Sequence, residues 1–207
     1  MLSRRVLWLP LMIVSAVQLG QAQISVIGDL SQDHSALPGQ QYEGLIIVRN
    51  DTDEPQEAKI YQTDYLFKYD GTNVYGEPGS HSRSNARWIS FSPSYLVLPP
   101  LSTIAVNFTV TPPAEADGQR LKGTYWSMLM VEGIPKGSPE SSLPRKDLKA
   151  QMGIQQTIRY GVQIVTTIAN TGESEVRFLD AKLIATKEGT KALQIDIENT
   201  GDLGMRP

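Results

Sequence analysis

Cysteine is absent from the 207-residue sequence. Thiol catalysis, disulfide exchange and thiolate metal sites are thereby excluded, and a fold must be stabilised by core burial instead of cross-links. Histidine occurs only at His34 and His81, both in polar, turn-like surroundings, so neither a histidine-rich metal site nor a bound cofactor is expected. A strong charge of one sign is also missing. The 19 basic and 22 acidic residues are scattered and leave a net charge of −3, which offers nucleic-acid phosphates no electrostatic footprint. No glycine-rich phosphate cradle opens a helix, and no serine nucleophile elbow is present. Asp64, Asp70, Glu77 and Asp117 are isolated acids, while Glu173 and Glu175 read as a solvated pair. A non-enzymatic protein is expected.

The only long apolar run lies at the amino terminus. Arg4 and Arg5 precede the apolar stretch Val6 to Val17, and Gly20-Gln21-Ala22 puts small residues where a cleavage site needs them. Residues 1–22 are therefore expected to be a secretory signal peptide, since the run falls short of the roughly 20 residues of a spanning helix. Cleavage would remove two of the 19 basic residues and none of the 22 acidic, giving an exported chain of net charge −5.

The chain beyond Ala22 is rich in short alternating segments. Thr103 to Thr111 sets Ile104, Val106, Phe108 and Val110 against Thr103, Ala105, Asn107 and Thr109, the pattern of a half-buried strand. Strands are also expected at Gln23–Leu30, Tyr42–Asn50, Ala58–Tyr69, Trp88–Pro93, Tyr95–Pro100 and Gly123–Glu132. Turns or loops are expected at Ser31–Gly39, Asp70–Asn85 and Gly133–Gln151. About seven short strands without a convincing amphipathic helix indicate an all-β, antiparallel immunoglobulin-like sandwich.

The rest is organised around Ile154 to Ile164. From Ile158 onward its apolar residues recur at every second position, so Ile158, Tyr160, Val162 and Ile164 share one face and Arg159 and Gln163 the other. Such a strand must complete a sheet supplied by its own chain or by another protein.

Three segments in order resemble a known family: Gly44-Leu45-Ile46-Ile47-Val48-Arg49-Asn50 with Pro55; Trp88-Ile89-Ser90-Phe91-Ser92-Pro93 with Leu98-Pro99-Pro100; and Gly123 to Glu132 running into Gly133-Ile134-Pro135. Over residues 24 to 168 the sequence resembles the amino-terminal domain of PapD-like periplasmic pilus chaperones. The resemblance implies a periplasmic protein of two immunoglobulin-like domains that lends its last amino-domain strand to an incomplete, exported, β-rich pilin-like subunit. Ile158, Tyr160, Val162 and Ile164 would then be the side chains entering the subunit. The family anchors a subunit's terminal carboxylate with an Arg in the first strand and a Lys in the last. Here Gln23 to Leu30 holds no basic residue, and Arg159 is the approximate counterpart in the last strand.

Two alternatives stay open. The four apolar side chains could face this chain's own core, and the protein could be a structural or adhesive immunoglobulin-like envelope component without chaperone activity. After Asn170-Thr171-Gly172, strands are expected at Val176–Thr186 and Leu193–Asn199, the opening of a second immunoglobulin-like domain over residues 171–207. That stretch is too short to close a sandwich, so it must be truncated, or pack on the first domain (residues 23–170) or a partner, and open sheet edges would favour self-association.

Overall fold

Inward-facing side chains on two strands set the first layer of the computed structural model, which describes residues 23–116, 118–144 and 157–205. The expected signal peptide, Asp117 and the first residues of the expected 154–164 strand lie outside that range. In chain order the strands are β1 (Ile24–Ile27), β2 (Ser31–Ala36), β3 (Tyr42–Asn50), β4 (Gln56–Phe67) and β5 (Asn73–Gly76). A 3-10 turn at Ala86–Trp88 precedes β6 (Ile89–Ser92), β7 (Tyr95–Leu98), β8 (Thr103–Val110), β9 (Glu115–Ala116) and β10 (Gln119–Arg120). The series ends with β11 (Gly123–Ile134), β12 (Arg159–Ile168), β13 (Val176–Ala185) and β14 (Lys191–Asn199).

One sheet has the order β1-β3-β8-β6, and the facing sheet β2-β12-β11-β4-β5, with β7 also on β4. Ile46 and Val48 of β3 and Val106, Phe108 and Val110 of β8 point inward, and all are essentially inaccessible to solvent. They meet Ala58, Ile60, Leu129, Val131, Val162 and Ile164 from the facing sheet, with Leu96 and Leu98 of β7 completing the cluster. Burying each large side chain contributes about 1.5–3 kcal/mol, so this interior carries the stability that the missing disulfides do not supply. Gly44 is required by packing: a Cβ there would sit 2.2 Å from Phe108 Cζ.

The sandwich is as expected, with two differences. Ser31–Gly39, expected as turn, contains β2, and β2 pairs with β12 in parallel from Gln163↔Ser31 to Ile168↔Ala36. The strand buries only Ala36 fully, so it is ordered by main-chain bonding to β12 and not by an apolar face of its own. Within Asp70–Asn85, expected as loop, β5 pairs with the end of β4 from Asp64↔Gly76 to Phe67↔Asn73.

A polar chain crosses the interior and fixes the far half of β12. The Tyr42 and Thr166 hydroxyls lie 2.6 Å apart, Asn85 Nδ2 donates to Thr166 Oγ1 and to the Ile164 carbonyl, and Ser127 Oγ donates to Asn85 Oδ1. Burial pushes the Tyr42 hydroxyl up to about 12, against the opposing pull of its Thr166 bond. The buried polar groups of the network are thereby satisfied.

Beyond the sandwich, β13 and β14 form a hairpin of their own. Its base is fastened at Asp202. Arg83 and Lys122 reach the Asp202 carboxylate at 2.9 and 2.8 Å, Thr124 N donates to the Asp202 carbonyl, and Gly204 N donates to Thr124 Oγ1. Gly123 permits the approach: its φ is +75°, and a Cβ would lie 2.2 Å from the Asp202 carbonyl oxygen.

Candidate functional site: the open half of β12

Along its full length β12 is bonded to β11, from Glu132↔Arg159 to Gly123↔Ile168. On its other side β2 begins only at Gln163, whose amide donates to the Leu30 carbonyl at 2.8 Å. Among the described residues, no strand pairs with positions 159–162 on that side. Gln163 and Ala169 both direct their amides toward β2 and its flanks, so by the two-residue period the main-chain groups of Arg159 and Gly161 face the open edge. An extended segment of another protein would find hydrogen-bonding groups there without displacing any of the described strands.

The apolar residues singled out in the sequence divide along this boundary. Val162 and Ile164 are wholly buried in the chain's own core, and Tyr160 packs against the same cluster. Insertion of Val162 or Ile164 into a partner would empty that core, so as folded these two side chains serve the sandwich. Ile158, which precedes β12, is 38% exposed. Side chains for a partner's groove are thus confined to the start of the strand.

Arg159 stands on the opposite face and is already engaged. Its Nε lies 3.1 Å from Glu132 Oε2, directly across from it in register. Glu132 also accepts from the Tyr61 hydroxyl at 2.8 Å and lies 3.9 Å from Lys59 Nζ, which in turn pairs with Glu140 at 2.8 Å. Burial, followed by the bond to Glu132 and its charge, pushes the Tyr61 hydroxyl above its ordinary range. Among the described residues the two cations face two carboxylates, which leaves no positive excess with which to hold a third. As a carboxylate anchor, Arg159 would have to give up Glu132.

The segment leaving β11 is tied down by a group the sequence did not single out. Glu57 at the start of β4 is 1% exposed, and its carboxylate accepts from the Tyr95, Ser141 and Ser142 hydroxyls and from Ser142 N at 2.9 Å. Burial alone would raise its pKa, but the bonds from Ser141, Ser142 and Tyr95 outweigh it and hold the carboxyl down at about 2. Lys136–Glu54 at 2.5 Å and Lys59–Glu140 add two more ties. The chain is therefore fastened as far as Ser142 on its way toward β12.

Asp64, read from sequence as an isolated acid, has a structural post. It accepts from Gly79 N, His81 N and Ser80 Oγ at 3.1, 2.8 and 3.2 Å and from Ser84 Oγ, organising the loop after β5; burial raises its pKa, yet these bonds leave it below the ordinary carboxylate range. Among the described residues, no group of three or more His, Cys, Asp or Glu side chains could hold a metal ion.

No family model and no curated protein sequence matches the chain. Among solved structures, it is similar to a chaperone–tip adhesin complex of CFA/I fimbriae biogenesis, with a TM-score of 0.50 and 15% identity over 88% of this chain and 68% of that one. It is also similar to the class 5 fimbriae chaperone CfaA (TM-score 0.48, 14% identity, 86% and 67% of the chains). A chain of the Salmonella enterica SafA pilin–SafB chaperone complex gives 0.49 and 9%, over 78% and 64%. At these identities the likeness concerns the fold, and the first of the three carries it. The sandwich of β1 to β12 has the PapD-like chaperone fold.

Proposed function

We propose that this chain is an exported, periplasmic, chaperone-like protein that binds a β-rich subunit of a pilus or another surface structure by lending it a strand. The observation that carries the reading is the open edge at residues 159–162, with the Arg159 and Gly161 main chain directed outward and Ile158 exposed beside it. A subunit short of one strand would complete its sheet on that edge, main-chain bonds giving affinity and Ile158 and Tyr160 giving register. The signal-peptide pattern of residues 1–22 supports the periplasmic location. The chemistry is association throughout, with no reacting side chain.

The test is co-expression in a bacterial periplasm with a pilin-type subunit lacking its own donor strand, followed by hydrogen exchange on the purified complex. The expected result is a soluble complex in which the Arg159 and Gly161 amides, fast in the free chain, become protected. Absence of a complex, or amides already protected in the free chain, overturns the reading.

A structural or adhesive immunoglobulin-like role is favoured by one observation, the commitment of Val162 and Ile164 to the chain's own core. That role expects binding to envelope components with no change in exchange at residues 159 and 161.

A further inference from the structure

β2 carries the wrong side chains for the place it fills. Its Gln32, His34 and Ala36 share the face turned to the interior, since His34 stands in register with Thr166 and stacks on Tyr42 with ring centroids 4.4 Å apart. Of the three, only Ala36 is buried. Gln32 donates its side-chain amide to the Leu45 carbonyl of β3 at 3.0 Å, and the buried Nε2 of His34 finds no hydrogen-bond partner among the described residues. A cleft of about 570 Å³ stays open along this strand, lined by Ile27, Gln32, His34, Leu45 and Ile47 among others. The apolar neighbours of the strand, Leu30 and Leu37, remain 48% and 51% exposed. A strand bordering a core normally turns apolar residues inward, and sequences break that rule at sites that serve function.

We infer that β2 is a place-holder, displaced by a longer strand of the partner that sets apolar side chains where Gln32 and His34 stand. The inference rests on strand lending by β12 and names the segment received: an extended stretch of a β-rich subunit, about as long as the 10 residues of β12 and apolar at every second position. The open rungs at residues 159–162 take its first residues. Beyond them the main chains of Gln163, Val165, Thr167 and Ala169 face β2, and each bond that β2 gives up is replaced by one from the incoming strand. Main-chain bonding therefore cancels, and side chains decide the exchange: apolar groups over Tyr42 and in the cleft bury more apolar surface than a glutamine and a histidine. As a tethered competitor β2 has the entropic advantage, which the partner overcomes with the rungs that β2 does not occupy. β2 is also free to swing out. It is flanked by Gly28 and Gly39, both at positive φ (+101° and +78°), with nothing beyond the adjacent residues within 4 Å of where a Cβ would be. Its parallel pairing is the slightly weaker kind and lowers the hold further.

The experiment is hydrogen exchange and titration with a pilin-type subunit lacking its own donor strand, on the full chain and on two variants. Ser35→Cys with Thr167→Cys, neighbours in register, fastens β2 to β12 through the only disulfide the chain can form. Gln32→Val with His34→Val gives β2 the apolar face it lacks. In the parent complex the Gln32, His34 and Ala36 amides, slow in the free chain, are expected to become fast as those of Arg159 and Gly161 become protected. The oxidised lock is expected to weaken the complex about tenfold or more, with reduction restoring it, and the valine pair to weaken it in the same sense without a covalent tie. Protection at Arg159 and Gly161 with the β2 amides still slow, or affinity unchanged in both the oxidised lock and the valine pair, overturns the inference and leaves strand lending standing. No complex at all removes strand lending and the inference with it.

Discussion

Arg159 and Glu132 face one another across β12 and β11, with Nε 3.1 Å from Oε2, at the point where the strand edge becomes free. The pair neutralises the cation that would greet a partner's terminal carboxylate. Glu132→Gln should therefore strengthen binding of a strand peptide ending in a free carboxylate relative to its amidated form. The gain should stay under about tenfold, because exposed pairs are worth about 1 kcal/mol or less. Titration of the two peptides measures the ratio, and an unchanged ratio would show that Arg159 takes no part.

Glu57 should make the chain sensitive to acid. Its folded pKa of about 2 lies below the ordinary 4.5, so the unfolded chain binds more protons and stability rises with pH through that interval. The contribution is complete above about 4.5 and is lost as the pH falls toward 2. Urea midpoints measured across this window should flatten in Glu57→Gln. At neutral pH the variant should lose about 1–3 kcal/mol as the hydroxyl donors lose their ionic acceptor.

Gly44 and Phe108 should couple. Gly44→Ala places a methyl where the phenyl ring lies and should cost about 1–3 kcal/mol, and Phe108→Ala about 3–5 kcal/mol. Combined, the two should cost clearly less than their sum, because the methyl enters space the ring has vacated. Chemical denaturation of the four proteins decides this, and simple additivity would mean that the ring moves aside freely.

Asp202→Ala should loosen the hairpin without unfolding the sandwich. The lost contacts to Arg83 and Lys122 lie near the surface, where ion pairs contribute little, so the unfolding transition of the sandwich should be nearly unchanged. Limited proteolysis should nonetheless cut within residues 171–205 faster in the variant. Raising the salt concentration should bring the parent chain toward the variant, since screening weakens the same pairs.

Side-chain period made much of the fold legible. The alternation in β3 and β8 reports a buried face directly, and the turn formers from Asn50 to Pro55 mark a real corner, where Asn50 Nδ2 donates to the Glu54, Leu98 and Pro99 carbonyls. β2 was hidden because its order comes from main-chain bonds to β12, which leave no period in Ser31-Gln32-Asp33-His34-Ser35-Ala36. The same reason divides the candidate site. Sequence identified the face shared by Ile158, Tyr160, Val162 and Ile164, but which end of that face is covered depends on where a neighbouring strand begins. Glu57 was invisible because its partner Ser141 is 84 positions away and neither residue type announces the pairing.

The late start of β2 acts as a ruler. While β2 stays docked, any foreign segment laid beside β12 would have to stop where Leu30 has already captured the amide of Gln163, so residues 159–162 would offer a berth about 13 Å long at roughly 3.3 Å per residue. Shifting that stop by moving the first residue of β2 would lengthen or shorten the berth in steps of one rung, and with it the set of strands that fit.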